Sequence, residues 1–224
     1  MANEEKWLCP TFLSVHGQTI DSADKVCVAM RLVLIRHAPV EIEPEIPTER
    51  WPLSTTGVRA ASALRGSSAL GSVSVFASSP EPKASATAVA IANGRPIVEM
   101  TGLKELDRSA AGWLRTQAEY ISLVGEILQQ PHHSVHGCEP AAQGQLRFVK
   151  AVEELLAKFG DAEVAVVSHG IVLSLYMAYI RRLPTSDLTI WERISLPDLA
   201  VVDPLHWKVL VDFGSDSMPL PTET

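Results

Sequence analysis

Two runs without a single polar residue, Leu32-Val33-Leu34-Ile35 and Val164-Ala165-Val166-Val167, each lead into a histidine tripeptide: Arg36-His37-Ala38 in the first case and Ser168-His169-Gly170 in the second. Short, continuous apolar runs of this kind read as strands buried on both faces, the situation of a parallel sheet covered by helices. In such open sheets, ligands gather beyond the carboxyl ends of the strands. The pattern therefore commits the chain to an α/β architecture and delivers two histidines to one edge of one sheet.

The rest of the sequence supplies the covering layers. Val73–Ala77 reads as another strand, followed by a helix that starts near Pro82, where a missing N–H costs little, and stops at Asn93-Gly94. Ile97-Val98 is a short strand. From Ala141 to Phe159 the residues Leu146, Val149, Val152, Leu156 and Phe159 recur three or four apart, predicting an amphipathic helix closed by Gly160. Ile171–Ile180 is apolar on nearly every face and reads as a buried helix. Ala200–Val202 and Trp207–Val211 form a closing hairpin around Asp203-Pro204. The expected fold is thus a three-layer α/β/α sandwich with a mostly parallel central sheet. No repeat and no internal linker divides it.

Paired histidines with an arginine at a sheet edge suit phosphoryl transfer. A neutral imidazole can attack phosphorus and split one difficult hydrolysis into two easier steps. The phosphoryl oxygens then require cations and donors, and a carboxylic acid must protonate the leaving oxygen and later activate water. Helix amides following His169 and Gly170 are expected to point at the anion.

The order of motifs resembles the histidine phosphatase superfamily, the phosphoglycerate mutase-like proteins, over residues 30–212. Arg36-His37-Ala38 corresponds to its opening Arg-His-Gly, and Leu53-Ser54-Thr55-Thr56-Gly57 to the start of its first helix. Ser78-Ser79-Pro80-Glu81-Pro82-Lys83-Ala84 with Thr87-Ala88 is similar to its Ser-Ser-Pro-x-x-Arg-Ala-x-x-Thr-Ala. Leu103-Lys104-Glu105 falls where the family keeps its acid, and Ser168-His169-Gly170 is its second histidine motif.

That resemblance implies a metal-independent, acid-type phosphomonoesterase without a cofactor. His37 would be the nucleophile, Glu105 the proton donor, and Arg36, Lys83 and His169 the phosphate ligands. Lys83 stands where the family has arginine and lacks that residue's planar fork. Arg59 and Arg108 are further candidate contacts, with surface ion pairing as the alternative. Glu99, Asp107 and Arg108 lie close enough in sequence that the acid could be a neighbour, with Asp107 pairing to Arg108 as one arrangement. The partner is a phosphorylated small molecule or a phosphoprotein. Val40 and Glu43 replace the family's usual Thr and Asn, which favours a phosphatase over a mutase. A phosphohistidine-protein phosphatase and a catalytically silent phosphate-binding module are the other readings.

His132, His133 and His136 with Cys138 and Glu139 suggest a metal, but Pro131 and Gly137 bracket them as a loop, and a polar stretch beside the pocket mouth is the preferred reading. His16 and His206 are assigned no role. The net charge of -7 argues against nucleic acid as a partner. No apolar run is long enough for a membrane span. Cys9, Cys27 and Cys138 are scattered, as in a cytoplasmic protein with reduced thiols. Residues 1–29 read as a loosely attached arm and 213–224 as a loose tail.

Overall fold

A computed structural model describes residues 30–160 and 162–215. The expected arm over 1–29, with Cys9, His16 and Cys27, lies outside the described residues, as does residues 216–224 of the expected tail.

The first apolar run is β1 (Leu32–Arg36), and the second, β4 (Val164–Ser168), lies parallel to it with Leu32 opposite Val164 and Arg36 opposite Ser168. Between them in sequence come α1 (Thr55–Leu64), β2 (Val75–Ser78), α2 (Pro82–Ala92), β3 (Ile97–Glu99), α3 (Gln117–Gln129) and α4 (Ala141–Phe159). After β4 follow α5 (Gly170–Ile180), α6 (Leu188–Glu192), β5 (Asp198–Asp203) and β6 (Lys208–Val211). The six strands form one sheet in the order β3-β2-β4-β1-β5-β6. The pairs on the β3 side of β1 are parallel, whereas β1–β5 and β5–β6 are antiparallel. Both histidine-bearing strands are therefore central, which is why neither needs polar alternation.

Period-two alternation along the strands divides the core. Val33, Ile35, Phe76, Ala165, Val167 and Val201 face α1 and α2. Leu32, Leu34, Val164, Val166, Ala200 and Val202 face α3, α4 and α5. Ten of the eleven residues of α5 are buried, consistent with its all-round apolar sequence. The strand expected over Val73–Ala77 is displaced: Val73 is buried in the irregular segment before it, and the ladder runs from Val75 to Ser78.

Helix α3 was not among the expected elements. Its signal is a capping box, with the Thr116 hydroxyl accepting from Glu119 N–H and the Glu119 carboxylate accepting from Thr116 N–H. Beyond the hairpin, Phe213 is buried and Gly214 N–H donates to Asp198 Oδ2 at 3.0 Å. The chain thus stays packed for a few residues past 212. Among the described residues, no helix is long and apolar enough to cross a membrane.

Candidate active site

The carboxyl ends of β1, β2 and β4 open into a cavity of about 1420 Å³. Arg36, His37, Lys83, Glu105, Arg108 and His169 all line it. Arg59 does not. It is exposed on α1, whose buried face carries Gly57, Ala61 and Leu64, so helical phase turns Arg59 away. A smaller cleft of about 680 Å³ between residues 99–102 and α4 contains none of the histidines.

His37 is buried, and its Nδ1 stands 2.8 Å from Ala38 O. A carbonyl can only accept, so Nδ1 carries the hydrogen and Nε2 keeps its lone pair. Burial pushes the imidazole from 6.5 to about 3, with Lys83 and Arg36 adding to the fall and the Ala38 carbonyl opposing it. Ala38 N–H donates in turn to Thr87 Oγ1 at 3.0 Å, and that hydroxyl donates to Lys83 O at 2.7 Å. The Thr-Ala end of the Ser-Ser-Pro motif is thus a pin for the loop that carries His37.

The ring of His169 lies 5.2 Å from that of His37, edge to face. Its Nε2 is 2.8 Å from Ser79 Oγ and 3.4 Å from Glu81 Oε1, while its Nδ1 is buried without a partner. Burial drives this imidazole well below its ordinary value, reinforced by His37, Lys83, Arg36 and Arg108. The Arg36 guanidinium donates from Nη1 to Ile194 O and leaves Nε buried and unpaired. Gly170 lies against it: a Cβ there would stand 3.0 Å from Arg36 Cζ.

Among the described residues, four buried side-chain nitrogens have no hydrogen-bond partner: Arg36 Nε, Arg108 Nε, His169 Nδ1 and Trp191 Nε1. All four belong to residues lining this one cavity. Buried polar groups are ordinarily satisfied, so the convergence of three unpaired N–H donors, on Arg36, Arg108 and Trp191, marks a place suited to acceptors.

Glu105 corrects one expectation. The α5 amides do meet an anion, but it is the Glu105 carboxylate, with Oε2 accepting from Ile171 N–H at 3.0 Å and Oε1 from Val172 N–H at 3.1 Å and Leu106 N–H at 3.0 Å. The positive end of the helix has captured a side chain rather than being left for the substrate. A carboxylate offers about four lone-pair positions, so Oε2 keeps one for a proton. The neighbours sort themselves around it. Glu99 accepts from Ser85 Oγ, and Asp107 turns to Ser109 N–H at 2.9 Å rather than pairing with Arg108.

Two features escaped the sequence reading. Glu81, at a wildcard position of the Ser-Ser-Pro motif, is a buried carboxylate: its Oε2 accepts from Lys83 Nζ at 2.6 Å and its Oε1 from Glu105 N–H at 3.0 Å. Lys83 is therefore bound to an acid within its own motif, and the hint was an acidic residue two places from the lysine that replaces arginine. The second feature is Arg147 of α4. Its Nε and Nη2 grip the Glu139 carboxylate at 3.0 and 2.8 Å, and its Nη1 donates to Gly102 O and Lys104 O, both at 2.9 Å. This fork holds the segment that presents Glu105. In the histidine loop, His136 pairs with Glu126 at 3.1 Å, and His132 and His133 are exposed.

These features define a class: three-layer α/β domains with paired histidines at the carboxyl edge of a parallel sheet. Within that class, the family model of the histidine phosphatase superfamily, branch 1, matches residues 32–207, and the chain belongs to that family. Solved structures of similar fold include YhfR of Bacillus stearothermophilus, with a TM-score of 0.66 and 22% identity over 84% of this chain and 99% of that one. Phosphoserine phosphatase from Entamoeba histolytica, in complex with 3-phosphoglyceric acid, gives a TM-score of 0.66 and 16% identity over 85% of this chain and 100% of that one. The mycobacterial glucosyl-3-phosphoglycerate phosphatase with inorganic phosphate gives 0.64 and 20%, over 85% and 100%. At these identities the likeness is one of fold. No curated protein matches the chain in sequence.

Proposed function

We propose that the chain is a phosphomonoesterase acting through a phosphohistidine on His37. The observation that carries this reading is the tautomer of His37: with Nδ1–H held by Ala38 O, the Nε2 lone pair is free in a cavity where the buried N–H of Arg36 Nε has no acceptor. The likeness in fold to proteins described as phosphatases supports it.

In the first step, Nε2 of His37 bonds to phosphorus in line as the ester P–O bond breaks, and the departing alkoxide takes the proton from Glu105 Oε2. In the second, Glu105 takes a proton from water, the resulting hydroxide attacks phosphorus, and the N–P bond breaks to release inorganic phosphate. The substrate's negative charge favours a proton on His169 Nδ1, turning that nitrogen into a donor. Positive charge comes from side chains, so turnover is expected to survive chelation.

Hydrolysis of a generic aryl phosphate in EDTA, comparing wild type with His37→Ala, tests the reading. Quenching the wild type during turnover with alkaline detergent is expected to trap an alkali-stable, acid-labile phosphoprotein that the variant lacks. Full activity in His37→Ala would overturn the mechanism. Phosphate binding without turnover of any ester would favour the silent binding module instead, a reading kept alive by the neutralisation of Lys83 by Glu81.

A further inference from the structure

The family's second pocket arginine is replaced by Lys83, and the structure shows what that lysine has become. Its ammonium donates to Glu81 Oε2 at 2.6 Å and to Thr48 O at 2.8 Å, which commits two of its three hydrogens. Both side chains of the Glu81–Lys83 pair are almost fully buried. A buried, paired ammonium contributes little net charge to a bound dianion and cannot present two parallel N–H groups. The lysine position alone leaves the phosphoryl group without its second fork.

An unspent fork exists elsewhere in the same cavity. Arg108 follows Glu105 by three residues and lines the cavity, and its guanidinium lies over the Tyr120 ring, 4.9 Å from the centroid. Its sequence neighbour Asp107 is engaged with Ser109. Among the described residues, the Arg108 side chain makes no hydrogen bond or ion pair, though its charge reaches the Asp107 carboxylate, and its Nε is buried without a partner. A guanidinium held on an aromatic face with a buried, unsatisfied N–H is held for something. Its positive charge already bears on His169 across the cavity.

We infer that Arg108 is the second phosphate-gripping arginine of this protein, acting with Arg36 in place of the fork lost at Lys83. The inference rests on the phosphatase reading above and assigns the role to a loop residue rather than to the start of α2. In this arrangement Glu81–Lys83 organises the floor: Glu81 touches both Lys83 and His169 Nε2 and holds the Glu105 amide. Arg36 and Arg108 supply the charge.

The test is titration calorimetry with inorganic phosphate, beside steady-state kinetics on an aryl and an alkyl phosphate, for wild type, Arg108→Ala and Arg108→Lys. Phosphate affinity is expected to fall at least tenfold in Arg108→Ala, with kcat/KM falling by a similar factor for both esters. Arg108→Lys keeps the stem and the charge, so it guards against a folding artefact, and it is expected to recover only part of the loss. Unchanged phosphate affinity in both variants would overturn the inference alone, even if one ester were turned over less well, because the contact would then be to the leaving group. A wild type that neither binds phosphate nor hydrolyses either ester would overturn the phosphatase reading and this inference with it.

Discussion

Gly170 and Arg36 are in van der Waals contact, with the guanidinium lying where a side chain at 170 would have to stand: a Cβ would meet Cζ at 3.0 Å and Nε and Nη2 at 3.1 Å. The glycine of the second histidine motif is thus required by the arginine of the first. Gly170→Ala is expected to displace Arg36 and reduce kcat/KM by one to two orders of magnitude, since small misplacement at a reacting centre is costly. The fold should hold, because a helix start tolerates alanine. Steady-state kinetics with a thermal melt checks this, and full activity in the variant would show that Arg36 has room to move.

Glu105 as proton donor makes a prediction about leaving groups. Glu105→Gln removes the proton but keeps an oxygen for helix amides. Turnover of an alkyl phosphate should fall by about 10²–10⁴-fold, the usual worth of general acid catalysis. A nitrophenyl phosphate, whose leaving oxygen needs no proton, should lose much less. Equal losses on both esters would remove Glu105 from the acid role.

Arg147 makes no hydrogen bond to His37 or His169, yet its fork ties Glu139 to the carbonyls of Gly102 and Lys104 just before Glu105. Arg147→Lys preserves charge and loses the fork. Its expected signature is a fall in kcat of about tenfold with KM nearly unchanged, and a larger effect on alkyl than on aryl phosphate, because it acts through the position of Glu105. A change confined to KM would place Arg147 in substrate binding instead.

The buried histidines also set a pH dependence of stability. Folded His37 titrates near 3, whereas an unfolded histidine titrates near 6.5. Between these values the unfolded chain binds more protons, so stability falls as pH drops below about 6.5, by up to about 1.4 kcal/mol per pH unit for each such histidine. His169, also lowered, acts in the same direction. Urea unfolding at pH 4.5, 5.5 and 7.5 should show this slope, and His37→Asn should make it shallower. An identical slope in that variant would contradict the burial-driven shift.

The sheet was legible because β1 and β4 are apolar on both faces, a pattern that central parallel strands impose and little else does. The helix over Ala141–Phe159 was equally plain, since its period survives over five turns. Helix α3 was obscured because its core residues Leu123, Val124, Ile127 and Leu128 sit in a segment whose start is marked only by Thr116 and Glu119. The histidines and Arg36 were legible through their strands. Glu81 was not, because a wildcard position says nothing about a side chain that folds back onto the same motif. The destination of the α5 amides was missed for a related reason: only the tertiary approach of Glu105 decides which anion a helix start receives.

The central place of β1 carries one more implication. Leu32 is hydrogen-bonded in register beside Val164 on one side and Val202 on the other. During synthesis this strand therefore leaves the ribosome long before either neighbour exists, and His37, which follows it, has no pocket until β4 and β5 arrive. Such long-range pairing makes folding slow. Over that interval an uncovered apolar strand is open to the wrong partner, which makes the nascent chain, rather than the finished protein, the form most dependent on chaperones.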